Sequence, residues 1–360
     1  MRLEDGNSRG RAGTMKGGRM KILFSGYHNP HYETVTEYME RALRALGHEV
    51  IVYDDRRHVI PGRIRSRVGW LHRLDLACIN RRLAEAARRG AVDAVVVTGG
   101  DRILPETVDR IRAMGIVTAL WTTDPPKGHV PHLKVAPRYD HIFCQGSEFV
   151  ELLRETGTDR ARWLPVGCEP ASHHPIELTE EERRLWGSDV VFVGSHYPER
   201  EALFEALADF DLALWGPGWG NLRDGSPLQG RIRKAHTVPS DWLRIYSASR
   251  IVLATHYRDP GGRYAVHQAN PRVFEVMACG AFLVTDRQRD TFSLFQDGRH
   301  LVGFDDADDL RRKIRHYLDR PRERRAIAER GRAEVLARHT YVHRLTELVA
   351  AINGQGHGRA

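Results

Sequence analysis

Apolar positions along the chain fall into short unbroken runs, and most runs are followed by an amphipathic stretch of helical period. "MKILFSG" (20–26) ends on Gly26 and reads as a strand buried on both faces. "YETVTEYMERALRALG" carries apolar residues at helical spacing and closes on Gly47, a C-terminal cap. "HEVIVYD", "VDAVVVTGG" and "GIVTALWTTD" predict further strands, with helices over "LDLACINRRLAEAARRG" and 105–114 between them, and Pro125-Pro126 stops the last strand. "YDHIFCQG" and "RARWLPVG" predict two more strands around the helix "SEFVELLRETG". Strands of this unbroken apolar kind, alternating with helices, imply a parallel sheet covered on both faces.

The pattern then lapses. Residues 169–188 are polar, contain two prolines and show no apolar period, which marks a linker. A second alternation follows: "DVVFVGSHYPEREALFEALADF", "DLALWGPGWG", a glycine-rich loop over 216–230, "KAHTV", the helix "DWLRIYSAS" and the strand "RIVLATHY". The helix in "NPRVFEVMACG", the strand "AFLVTD", "HLVGF" and helices to about residue 352 complete it. The expected organisation is a tail over 1–19, a first α/β domain over 20–168, the linker, and a second α/β domain over 189–352. Each domain is expected to be doubly wound and Rossmann-like.

Composition narrows the class. The 360 residues are 41% hydrophobic and 28% charged, values of a soluble globular chain. No apolar run approaches the ~20 residues that span a bilayer. Residues 1–19 lack the apolar core of a secretory signal, and the four cysteines have no metal-ligand spacing, so a cytoplasmic protein with reduced thiols is expected. The net charge of +8 comes largely from arginine, in 54–70 and in 320–339. The second run alternates with Glu at helical spacing and reads as a solvated face. The first lacks acids after Asp55 and is the better candidate for contact with an anionic partner, such as a membrane surface. Nucleic acid is disfavoured, because no aromatics interleave with the arginines of 56–69.

Ligands of doubly wound sheets bind beyond the carboxyl ends of the strands. Candidate residues at those ends are His28 after the first strand, Asp101 after "VVVTGG" and Asp124 after "ALWTT". The second half offers Gly194 and Ser195 after "VVFV", Arg200 in the next helix, and His256 after "IVLAT". The last is Glu275, a single acid between Phe274, Val276 and Met277 in a helix that leads directly into a buried strand. Such a helix has little room for a clean polar face, so its carboxylate needs a purpose.

The stretch Asn270-x-Arg272-x-Phe274-Glu275-x-x-Ala278-x-Gly280 followed by a strand resembles GT-B glycosyltransferases, and more narrowly the CgeB-like branch of glycosyl transferase group 1. "VVFVGSHYPERE", "YDHIFCQGSEFVELLRETG" and the region 294–344 fit the same resemblance. It implies two Rossmann-like domains facing a central cleft, with a nucleotide-sugar held mostly by the second. Glu275 then matches the carboxylate that accepts hydrogen bonds from both ribose hydroxyls. Gly194, Ser195, the following helix N-terminus, Arg200 and Arg272 are expected at the diphosphate. Many group 1 members carry a second acid eight residues before this Glu, where this chain has His267, so sugar recognition is expected to fall to His267, Asn270 or the loop "GGRYAVHQ". No metal or other cofactor is expected: "DFD" (209–211) stands before a strand, at the end away from a ligand.

The implied activity is transfer of a sugar to an acceptor that is a saccharide, protein, lipid or small molecule. An inverting reaction needs a base on the first domain, for which Asp124, then His28, then Asp101 are the candidates. The rival readings are a GT-B nucleotide-sugar epimerase and a two-lobed sugar or nucleotide sensor without chemistry.

Overall fold

A computed structural model describes residues 18–58, 60–65, 67–123, 134–234, 236–258 and 265–354. Among the described residues twelve strands form two all-parallel six-stranded sheets. The first sheet has the order β2-β1-β3-β4-β5-β6, with β1 Lys21–Gly26, β2 Glu49–Asp54, β3 Ala94–Thr98, β4 Val117–Thr122, β5 His141–Cys144 and β6 Ala161–Trp163. The second has the order β12-β11-β10-β7-β8-β9, with β7 Val190–Val193, β8 Leu212–Trp215, β9 Ile232–Lys234, β10 Ile251–Ala254, β11 Leu283–Asp286 and β12 Val302–Phe304. The central strands are buried along their whole length, as unbroken apolar runs require.

Two local differences have simple causes. The helix expected over 74–90 begins earlier, spanning Gly69–Gly90, because its first turns present Trp70 and Leu74 to solvent and carry no apolar period. The polar segment 169–188 contains a short helix, Glu180–Trp186, started by a capping box in which the Thr179 hydroxyl and the Glu182 carboxylate satisfy each other's backbone N–H groups. None of its residues is buried, so the hydrophobic pattern carries no signal for it.

The chain crosses between the domains twice. At Cys168 it pairs with Thr340, and the C-terminal helix Tyr341–Ile352 returns to pack on the first-domain helix Val35–Ala45. Gly167 permits the crossing: a Cβ there would lie 2.7 Å from the His339 carbonyl oxygen. Arg344, buried at the same place, donates to the Val166 carbonyl at 3.2 Å. Tyr38 and Tyr341 face each other with ring centroids 5.9 Å apart. One apolar core therefore runs through both sheets and holds the carboxyl edge of one opposite that of the other.

Candidate active site

A cleft of ≈ 350 Å³ opens between the two carboxyl edges. Tyr32, Glu33, Thr34 and Tyr38 line it from the first domain. Ser195, Tyr197, Arg200, Trp242, Asn270, Arg272 and Glu275 line it from the second.

Glu275 lies in the helix Pro271–Ala278, whose start is set locally: Asn270 caps it, its Oδ1 accepting the Val273 N–H at 3.3 Å, and Pro271 occupies the first turn. Glu275 is 8% exposed and its neighbours Phe274, Val276 and Met277 are buried. Its carboxylate has no protein hydrogen bond or ion pair among the described residues. Burial, reinforced by its charge, pushes the phenols of Tyr38 and Tyr341 up. An uncompensated carboxylate this deep costs free energy unless a ligand supplies donors. The sequence singled it out on related grounds: it is the one acid of this helix, set between apolar neighbours.

Arg272 points into the cleft beside β7. Its guanidinium stands 5.6 Å from the Phe192 ring centroid, its buried Nε has no partner, and a Cβ on Gly194 would come within 3.2 Å of it. A glycine at 194 leaves room for this side chain and for a ligand beside it. The Gly194 N–H itself is committed to the Trp215 carbonyl at 2.8 Å, so Gly194 provides space rather than a hydrogen bond.

Arg200 is more tied down than the sequence suggests. Nε donates to Thr255 Oγ1 at 2.9 Å, Nη1 to the Ser195 carbonyl at 2.8 Å and Nη2 to the Thr255 carbonyl at 2.9 Å. It braces the ends of β7 and β10 and adds positive charge behind Arg272. Burial, with the Arg272 charge, brings its guanidinium down to about 10. His256 is also a brace. Its side chain is buried, Nδ1 lies 2.7 Å from Asp286 Oδ1, and Nε2 accepts the Asn270 N–H at 3.2 Å. Both ring nitrogens are used within the protein, so His256 positions the start of the Glu275 helix instead of facing the cleft. His267 lies at the domain boundary, where its N–H donates to Glu148 Oε2 at 3.2 Å and its buried Nδ1 makes no hydrogen bond but lies 3.9 Å from Glu151 Oε2.

On the first domain, His28 follows β1. Its Nδ1 sits 3.0 Å from Glu37 Oε1, and its buried Nε2 has no partner. Burial draws the imidazole pKa down, but the Glu37 hydrogen bond and charge outweigh it and leave the pKa raised. Asp101 is partly exposed and pairs with Arg56 at 3.4 Å and Arg102 at 3.2 Å. Asp124 lies outside the described residues, as do 261–264, the first four residues of the loop "GGRYAVHQ". Both carboxylates of "DFD" are occupied: Asp209 by Arg311 and Arg315, Asp211 by the Asp189 N–H at 3.1 Å. Among the described residues no cluster of three metal-ligating side chains occurs. No helix among them is long and apolar enough to cross a membrane.

The aromatic lining, Tyr38, Tyr197 and Trp242, was not legible as a site, because in sequence these residues read as ordinary helix or loop apolar positions.

Residues 199–350 match the family described as glycosyl transferase-like. The spore protein CgeB of Bacillus subtilis (strain 168) is 22% identical over 260 residues, which cover 69% of this chain and 79% of that protein. Among solved structures, sucrose-phosphate synthase of Thermosynechococcus elongatus superposes with a TM-score of 0.68 at 12% identity, covering 93% of this chain and 100% of that one. Anabaena HepE in complex with UDP and glucose superposes with a TM-score of 0.62 at 12% identity and the same coverage. With two parallel sheets facing one cleft, the chain has the GT-B fold, its residues 199–350 match a glycosyl transferase-like family, and it is similar to CgeB.

Proposed function

We propose that the protein transfers a sugar, a hexose or a relative of one, from a nucleotide-sugar to an acceptor bound against the first domain. The observation that carries this reading is Glu275: a carboxylate with no protein partner among the described residues, in the middle of a buried helix, facing a cleft that also holds Arg272. A vicinal diol supplies two hydroxyl donors to such a group, and Arg272 neutralises phosphate charge near Gly194 and Ser195. The solved complex of HepE with UDP and glucose supports a nucleotide-sugar as the donor class.

The bond between the anomeric carbon and the diphosphate breaks through an oxocarbenium-like state. The departing diphosphate gathers negative charge, which the paired cations Arg272 and Arg200 stabilise without moving. In an inverting transfer the acceptor hydroxyl loses its proton to a base on the first domain. Of the described candidates we favour His28, since Glu37 holds its Nδ1 and its buried Nε2 has no protein hydrogen-bond partner, although it is not among the residues that line the cleft. Asp124 remains the alternative. The reaction takes place in the cytoplasm and needs no metal.

Thermal shift against UDP-, GDP-, TDP- and ADP-sugars identifies the donor, since a ligand at 100 times its dissociation constant stabilises by roughly 2.7 kcal/mol. Slow hydrolysis of the stabilising nucleotide-sugar then marks a transferase. Conversion to an isomeric nucleotide-sugar would assign an epimerase, and binding without turnover a sensor.

A further inference from the structure

The second sheet has another recess at its opposite edge, where the strands begin. A groove of ≈ 580 Å³ lies between the linker helix Glu180–Trp186, the residues leading into β10 and β11, and the helix Pro321–Arg338. Five arginines line it, Arg183, Arg250, Arg324, Arg325 and Arg332, against one acid, Glu329. They come from three separate parts of the chain, so helical periodicity within one segment does not account for their convergence.

The expectation that 320–339 is a face neutralised by its own glutamates does not hold inside this groove. Arg250 pairs with Asp189 at 2.7 Å. Arg332 Nε donates to the Ala278 carbonyl at 3.1 Å, and Arg324 Nη1 to the Leu318 carbonyl at 2.9 Å. Backbone carbonyls anchor these two side chains without cancelling their charge. Arg183 and Arg325 are exposed, with no side-chain partner among the described residues. Burial, then the nearby charges of Arg250 and Arg325, push the Arg324 guanidinium down, with Asp189 acting against them.

We propose that this groove is a second ligand site, separate from the sugar-transfer cleft, and that it takes a multiply charged phosphate group, either free or on a lipid headgroup. Guanidinium forks match phosphate oxygens bidentately, and convergent arginines favour a dianion over a single carboxylate. The volume exceeds that of one phosphate and admits a diphosphate or a phosphate ester. The groove floor is the loop Cys279–Phe282, directly after the helix that bears Glu275, so a bound anion rests against the far end of that helix. Anion binding in this groove is independent of whether the cleft transfers a sugar.

The test uses the full chain with sodium pyrophosphate as the probe, in isothermal titration with and without saturating UDP. A parallel arm measures co-sedimentation with vesicles of phosphatidylcholine containing phosphatidic acid, whose phosphomonoester headgroup can carry two charges. Pyrophosphate binding that survives UDP and weakens roughly 10-fold or more in R183E/R325E is the expected result, each lost arginine removing a charge-assisted contact. R183Q/R325Q keeps the test valid if the charge reversal impairs folding. Vesicle binding lost in the same variants supports the site with a headgroup as its natural source; vesicle binding absent throughout, with pyrophosphate bound, supports a free phosphate compound. Pyrophosphate displaced by UDP, pyrophosphate bound equally by wild type and variants, or no binding of either probe would overturn the proposal.

Discussion

Across the domain boundary, the Ser147 backbone N–H donates to Oδ2 of Asp290 at 2.8 Å. The Ser147 hydroxyl donates to the other oxygen of the same carboxylate, so the start of the helix Ser147–Glu155 in one domain captures an acid of the other. Glu148 is buried beside this contact, and burial, reinforced by the Asp290 charge, pushes its carboxyl up to about 7. A carboxyl raised above its unfolded value keeps its proton longer in the folded state, so folding stability falls as pH rises from near 4.5 to about 7. In Glu148→Gln that loss disappears. Denaturant unfolding at pH 4.5 and pH 8 is expected to show the variant gaining on wild type by up to about 3 kcal/mol at the higher pH. Parallel pH profiles for the two proteins would remove Glu148 from the interface's titration.

Glu275→Gln is expected to retain the fold and lose nucleotide affinity by about 1–3 kcal/mol, because one oxygen becomes an N–H facing a hydroxyl pair. Calorimetric titration with the free nucleotide measures it directly. Equal affinities in a normally melting variant would sink the ribose assignment. The melting temperature itself is expected to stay or rise, since removing an uncompensated buried charge relieves a cost in the empty protein.

His28→Gln is expected to lower turnover roughly 10²–10⁴-fold with nucleotide affinity nearly intact. The base works unprotonated, so the rate rises with pH through the raised His28 pKa. Glu37→Gln withdraws the charge that raises it and shifts this limb to lower pH, while a glutamine still completes the cap at Thr34. A large loss in Asp124→Asn, with His28→Gln near wild type, would transfer the role to Asp124. A product that keeps the donor's anomeric configuration would dispense with both.

Transfer is expected to continue in EDTA, because the proposed phosphate site relies on Arg272 and Arg200. Loss of activity on chelation and recovery with Mn²⁺ would contradict this, and would require a carboxylate site outside Asp209 and Asp211, whose carboxylates are already engaged.

Gly216 has φ +122°, and a Cβ there would lie 2.5 Å from the Gly194 carbonyl oxygen. Gly216→Ala is therefore expected to destabilise the protein by more than about 2 kcal/mol and to weaken nucleotide binding with it, since β7 and β8 end together at the cleft. Thermal unfolding and titration of the same variant check both effects. Unchanged stability would show that the loop relaxes without cost.

The sequence by itself determined the two parallel sheets, because a strand buried on both faces must be an unbroken apolar run, and it made Glu275 conspicuous, because a charge among apolar helix positions has no local account. Tertiary structure alone decided the duties of Arg200 and His256. Both stand at strand ends where ligands bind, yet their partners Thr255 and Asp286 lie 55 and 30 residues away. Hydrogen bonds between such distant residues leave no periodic trace. The same holds for Glu148, which reads as an ordinary first-turn acid of a helix until a second domain closes over it and removes its water. It holds too for the arginine groove, whose charges are scattered through 183–332 and become one field only when three segments converge at the edge of a sheet.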